Sequence, residues 1–227
     1  MSDKEGGIQS MTNEELERVF TSQIPEAFQR RALGSVFASY RISKEQCRIQ
    51  FAPTEAVNVE PFYRRGVLEG QLRDSAGLSP ELIARTARAE GSNWNHTEIQ
   101  GGQVVLTASA VPSAGAVVRK ADYRIDLAQT NAPTLFSAFN ENEQTPLYAI
   151  LIHSRSLWDT HEERAKFGHL PGSAYIAFPD QSLDGYMHKF NLFEKYPDIV
   201  ERHQPDDLSG LAKLRYIQRS QAGFWAA

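Results

Sequence analysis

Three histidines, His153, His161 and His169, follow one another at eight-residue intervals. They lie between Leu147 and Pro179, with Asp159 and Glu162 among them. Imidazoles and carboxylates are the groups that hold zinc and that exchange protons near neutral pH. Zinc requires three or four of them converging within about 2.0–2.2 Å of one point. The common helical device, two His four apart with Glu between, is missing. Thr160 followed by Glu163 is instead a capping box, and Gly168 is a natural helix stop. Together they predict a short helix over His161 to Phe167, with His161 and His169 at its opposite ends. At ~1.5 Å per residue those two are about 12 Å apart. Helical side chains also lean toward the N-terminus, which carries His161 away from His169. His153 closes the apolar run Leu147–Ile152 and heads a long connection, a common location for sites. The candidate catalytic set is thus His153, Asp159, His161 and His169, with no metal and no cofactor implied.

A second group of residues is defined by charge. Residues 28–48 carry Arg30, Arg31, Arg41, Lys44 and Arg48 against Glu45, and Arg64, Arg65 and Arg73 follow. Residues 180–207 are acidic, with Asp180, Asp184, Glu194, Asp198, Glu201, Asp206 and Asp207 against three basic residues. Arginine forks bind phosphate bidentately, so one reading is a nucleic-acid face made of Arg30, Arg31, Arg64 and Arg65. A second is internal: the basic helices dock on the acidic C-terminal helices. A third is a solvated face. Tyr40 and Tyr63 lie nearby, but Tyr40 continues an apolar stripe and reads as core. Glu98, Asp122 and Asp126 beside Lys120 have the residue types of a Mg²⁺ nuclease without a diagnostic order. Trp94, Trp158 and Trp225 read as packing or interface residues. Cys47 is the one cysteine, read as a small packed side chain without a disulfide partner.

The elements that must position these groups form an α+β pattern: a helical N-terminal third, a central mainly antiparallel sheet and a helical C-terminus. Residues 1–10 read as a disordered tail, and 11–227 as one domain with a subdivision allowed near 129–146. Thr12 and Glu15 form a capping box for a first helix to about Phe20. Phe28, Ala32, Leu33, Val36, Phe37 and Tyr40 recur at spacings of three and four and predict a second. A strand is expected around Cys47 to Ala52, a loop at Pro53, and a third helix from Val59 to Asp74. Ser79, Pro80 and Gly91 punctuate a fourth helix, with Leu78 and Ile83 as a hydrophobic staple. Thr97–Ile99 and Gln103–Val111 flank Gly101-Gly102 as a hairpin. From Val117 to Leu127 the alternation reads as a third strand, though a helix starting at Ala121 fits almost as well. Leu147–Ile152 and Ala174–Phe178 are buried strands. Leu183–Lys195 is expected to be helical, Pro197 to begin a turn, and Asp207 to cap a last helix through Arg219.

With 227 residues, 41% hydrophobic and 23% charged, the chain has an ordinary globular composition. A net charge of −4 argues against a dedicated polyanion coat. The polar N-terminus lacks the pattern of a signal peptide, and no apolar run approaches the ~20 residues of a membrane span. A cytoplasmic location, with no membrane partner, is the expectation. The GxGxxG, GxxxxGK[ST], GxSxG and HExxH signatures are missing. The function expected is that of an interaction or regulatory protein without catalysis. Its partner would be nucleic acid or a protein, met by the face carrying Arg30, Arg31, Arg64 and Arg65. The alternative is a hydrolase or nuclease centred on His153.

Overall fold

A computed structural model describes residues 11–88, 94–131, 146–156 and 161–204, without the side chains of 161, 164 and 165. Three helices open the chain: α1 (Asn13–Gln23), α2 (Glu26–Gln50) and α3 (Pro53–Gly77). The predicted capping box is formed, with Thr12 Oγ1 accepting from the Glu15 amide at 3.2 Å and Glu15 accepting from the Thr12 amide at 2.8 Å. In α2 the stripe from Phe28 to Tyr40 is buried and runs on through Ser43 to Cys47. The strand expected at Cys47–Ala52 is instead helix as far as Gln50: Val36, Tyr40, Ser43 and Cys47 keep the spacing of four, three and four that one helical face requires. Pro53, expected in a loop, begins α3, where a missing amide costs no hydrogen bond.

Six strands follow: β1 (Leu82–Arg88), β2 (Asn95–Gly101), β3 (Val104–Ala110), β4 (Leu147–Arg155), β5 (Pro171–Pro179) and β6 (Tyr186–Asn191). They form one sheet in sequence order, antiparallel except where β4 lies parallel to β3. Between β3 and β4 comes α4 (Asp122–Gln129), and between β4 and β5 comes α5 (His161–Phe167), on the span predicted for it. After β6 come the single turn α6 (Leu192–Lys195) and α7 (Pro197–His203).

Two of these elements correct the expectation. The helix expected from Ser79 to Gly91 is strand β1 as far as it is described. The Ser79 hydroxyl does not cap; it accepts from Arg31 Nη2 at 2.7 Å. Leu78 and Ile83 stay exposed at 71% and 64%, so the staple is not made. Pairing of Leu82–Arg88 along the whole of β2 outweighs the local helix signal. Likewise Leu183–Lys195 is not one helix, because Tyr186–Asn191 pairs with β5 and only Leu192–Lys195 turns helical. Tyr186, Phe190 and Phe193 fit a helical period and a strand-plus-turn equally, and the open β5 edge decides. Between Val117 and Leu127 the helical alternative is the one formed. Residues 132–145, within the 129–146 segment expected to be a long loop or domain linker, and the helix expected from Asp207 lie outside the described residues.

Both faces of β4 are covered. Leu147, Ala149 and Leu151 pack with α1, α2, α3 and α7 side chains in one core. Tyr148, Ile150 and Ile152 pack on the other face with Val111, Val118, Ala128 and Leu183. That double burial is why β4 reads as an unbroken apolar run. The predicted hairpin is formed with its turn one residue later than expected: Gly101 ends β2 opposite Val104, and the turn is Gly102-Gln103, with Gly102 at φ 53°. A side chain at Gly101 would strike the α1 carbonyl of Gln23 and Leu82.

Asn131 fastens the crossover segment to the sheet. Its amide donates to the carbonyls of Tyr148 at 3.0 Å and Pro179 at 2.9 Å, and its oxygen accepts from the Tyr148 amide at 2.7 Å. Alanine there removes three hydrogen bonds and strands a buried amide. Asn131→Ala is expected to cost about 2–3 kcal/mol in urea denaturation. A loss below about 0.5 kcal/mol would mean that water restores these bonds.

Candidate functional site

The sheet forks at one end. β2 and β3 pair only from Gly101–Val104 to Ile99–Leu106. Beyond that point β2 stays with β1 as far as Asn95, and β3 stays with β4 as far as Ala110. On the helical side the fork is occupied by polar residues of α3. Arg65 Nη2 donates to the Asn95 carbonyl at 2.7 Å, and Arg73 Nη1 donates to Thr97 Oγ1 at 2.7 Å. Thr97 Oγ1 in turn donates to Glu69 at 3.4 Å.

The same end holds the carboxyl ends of the one parallel pair, β3 and β4. After β3 the chain leaves toward the face covered by Val111 and Val118; after β4 it leaves toward the opposite face, where Phe167 and Leu170 pack. Connections that part to opposite faces leave a crevice between them. Here a cavity of about 550 Å³ is lined by α3 from Pro61 to Glu69, by Ala108–Pro112, by Ala116, Val117, Arg119 and Arg124, and by His153. This volume is within the ~300–1,000 Å³ usual for ligand sites.

Four arginines border this cavity: Arg64, Arg65, Arg119 and Arg124. Arg64 pairs with Glu60 one turn earlier and lies over the Tyr40 ring, its guanidinium carbon 4.0 Å from the centroid. Arg65 Nε donates to Glu69 at 2.7 Å. Arg124 Nη1 donates to the Arg119 carbonyl at 2.9 Å, and Arg119 is exposed. Four guanidiniums against Glu60 and Glu69 leave two positive charges. Neither Arg119 nor Arg124 has a carboxylate partner among the described residues. The Nε donors of Arg64 and Arg124 are buried without an acceptor among the described residues.

His153 lies beneath the cavity, 3% exposed, with Nδ1 3.0 Å from the Tyr40 hydroxyl. Burial, and then the nearby Arg64 charge, push its pKa down from 6.5 to about 3. Burial likewise pushes Tyr40 up to about 12. At neutral pH both partners are uncharged, and the contact is a neutral hydrogen bond inside the core. A general acid or base works best with a pKa near the operating pH. His153 is several pH units below it, so its geometry is that of a strut supporting Tyr40 and, through it, Arg64.

The predicted site residues are therefore divided. His153, Arg64 and Arg65 meet at one cavity. Arg30 and Arg31 do not join them. Arg30 pairs with Asp198 of α7 and lies 5.2 Å from the Tyr196 ring centroid, and Arg31 donates to the Ser75 carbonyl and to Ser79. For Arg30 this is the internal docking of basic on acidic helices. Asp159 lies outside the described residues, as do Trp158 and Trp225. His161 starts α5 with its side chain undescribed, and His169 is half-buried in the turn after α5. Among the described residues, no three His, Cys, Asp or Glu side chains are placed to share a metal ion. Glu98 is buried in pairs with Arg85 at 2.6 Å and His96 at 2.9 Å, while Asp122 and Asp126 are exposed on α4. Cys47 is buried.

Sequence reasoning missed Arg119, Arg124 and Phe62. Arg119 and Arg124 are 55 or more residues from Arg64, and five apart from each other in a stretch without clear periodicity. The one available signal was the basic cluster Arg119, Lys120 and Arg124 just after β3. No helix of the described residues is long and apolar enough to cross a membrane. No family model, curated protein or solved structure matches the chain.

Proposed function

We propose that the protein is a non-catalytic binding protein that takes nucleic acid by its phosphates in the cavity at the carboxyl ends of β3 and β4. The observation that carries this reading is the gathering of Arg64, Arg65, Arg119 and Arg124 around one concavity. Guanidinium groups present forked donors that match phosphate oxygens two at a time. Arg64 and Arg65 are held in place by Glu60 and Glu69, so little side-chain freedom is lost on binding. Arg119 and Arg124 supply the charge not already neutralised. The low pKa of His153 favours this reading over the hydrolase alternative. With an overall charge of −4 the attraction is local, and salt should weaken it steeply.

The test is fluorescence anisotropy with a labelled oligonucleotide at increasing salt. Arg119→Ala and Arg124→Ala should each weaken binding several-fold and reduce the slope of log K against log salt by about 0.7–0.9. Arg30→Ala, which breaks the Asp198 pair and the Tyr196 ring contact away from the cavity, should leave both unchanged. No binding at low salt, or an equal loss from Arg30→Ala, rules the reading out.

A further inference from the structure

At the mouth of the arginine cavity two aromatic rings stand in the open. Phe62, which lines the cavity, is 61% exposed, and Trp94, just before β2, is 58% exposed. Their rings stack, with centroids 5.9 Å apart and planes 21° from parallel. Side chains of this size are costly to leave in water, and a surface pair flanking a charged cavity is a ligand-contact pattern. Arg65 joins the two features: it lines the cavity, and its guanidinium carbon is 5.7 Å from the Trp94 ring centroid.

We infer that the nucleic acid bound here is single-stranded, with a phosphate in the arginine cavity and an unpaired base stacked on the Phe62–Trp94 pair. This rests on the phosphate-binding reading above. Three observations favour it over a duplex. A concavity of about 550 Å³ admits one nucleotide unit, not the broad cylinder of a double helix. The aromatic pair offers flat apolar area, and a base offers a flat face only when it is not covered by its neighbours in a duplex. The pair and the guanidiniums are adjacent, which suits the short link between a base and its own phosphate. Stacking on an aromatic ring is tolerant of base identity, so little sequence preference is expected.

The experiment uses the full-length protein and four probes: a labelled oligothymidylate, the same chain with abasic sites, a blunt duplex of the same length, and thymidine 5′-monophosphate as a competitor. The oligothymidylate should bind at least tenfold more tightly than the duplex or the abasic chain. Phe62→Ala and Trp94→Ala should each weaken oligothymidylate binding by roughly tenfold, and abasic-chain binding by far less. Both side chains are exposed, so the variants should keep the fold, which circular dichroism checks. Equal affinity for single strand, abasic chain and duplex, with no effect of either variant, overturns the single-strand inference while leaving phosphate binding intact. Competition by the monophosphate at the oligomer's own affinity overturns it in favour of a free nucleotide. Failure of all four probes to bind at low salt overturns the phosphate-binding reading itself.

Discussion

Lowering the pH from 6.5 toward 3 is expected to destabilise the fold by as much as ~5 kcal/mol through His153 alone. The imidazole is fully enclosed, and burial holds its folded pKa near 3 against 6.5 in the unfolded chain. Between those values the unfolded state takes up a proton that the folded state refuses. Each pH unit in that window is worth about 1.4 kcal/mol, in favour of unfolding. The sign follows: stability is intact above pH 6.5, falls as pH drops, and levels off near pH 3, where the folded protein is protonated too. Carboxylates held low by partners, such as Asp198 beside Arg30, add to acid loss only at the lower end of this range. His153→Asn separates the contributions. Asparagine keeps a polar atom toward the Tyr40 hydroxyl and has nothing to titrate. Urea denaturation at pH 7, 5 and 4 should show wild type losing more stability between pH 6.5 and 5 than the variant, whose remaining loss there comes from His203, held low by burial and then by the Arg41 and Arg202 charges. Parallel curves would mean that His153 is protonated without cost, and that water reaches it.

Phe20→Ala is expected to cost about 3–5 kcal/mol, a large part of the 5–15 kcal/mol that a typical domain has in total. Phe20 is fully buried on α1. It meets Phe178 of β5 edge-on at 5.9 Å between ring centroids, and Phe190 of β6 at 5.6 Å. The alanine variant loses the transfer energy of a phenyl ring, two aromatic contacts of about 0.5–1.5 kcal/mol each, and leaves a cavity where three elements meet. α1 has eleven residues, too few to persist without packing, so its helicity depends on this anchor. The loss should be read as a lower urea midpoint with amide exchange in α1 accelerated most. A loss under about 1 kcal/mol would show that α1 contributes little to the cooperative core. The cavity is lined from α3, β3, β4 and the crossover, so oligonucleotide binding by the surviving folded fraction should be unchanged.

Features encoded within one turn of chain were legible in the sequence. The capping box at Thr12 and Glu15, the α2 stripe, the β2–β3 hairpin and the short helix from His161 to Phe167 each depend on neighbours a few residues away. The doubly buried β4 was legible too, because its apolar run has no polar face to offer water. His153 could be singled out from its position at the end of that run. Its chemistry could not, since its low pKa comes from enclosure and from Arg64, 89 residues earlier.

Tertiary structure decided the rest, for one physical reason: a local preference worth a few tenths of a kcal/mol to about 1 kcal/mol yields to a full set of long-range partners. Ser79 and Pro80 favour a helix start, yet Arg31 takes the Ser79 hydroxyl and β2 takes residues 82–88. Tyr186–Asn191 keeps a helix-compatible spacing, yet the β5 edge claims it. The arginines divide on the same principle. The sequence gathered Arg30, Arg31, Arg64 and Arg65 by proximity along the chain, and the fold sends Arg30 to Asp198 and Arg31 to Ser75 and Ser79. It sets Arg64 and Arg65 beside Arg119 and Arg124 because β3 and β4 run parallel and their connections part to opposite faces. Composition and spacing determined which residues were available to bind an anion; strand direction at a single pair decided which of them meet.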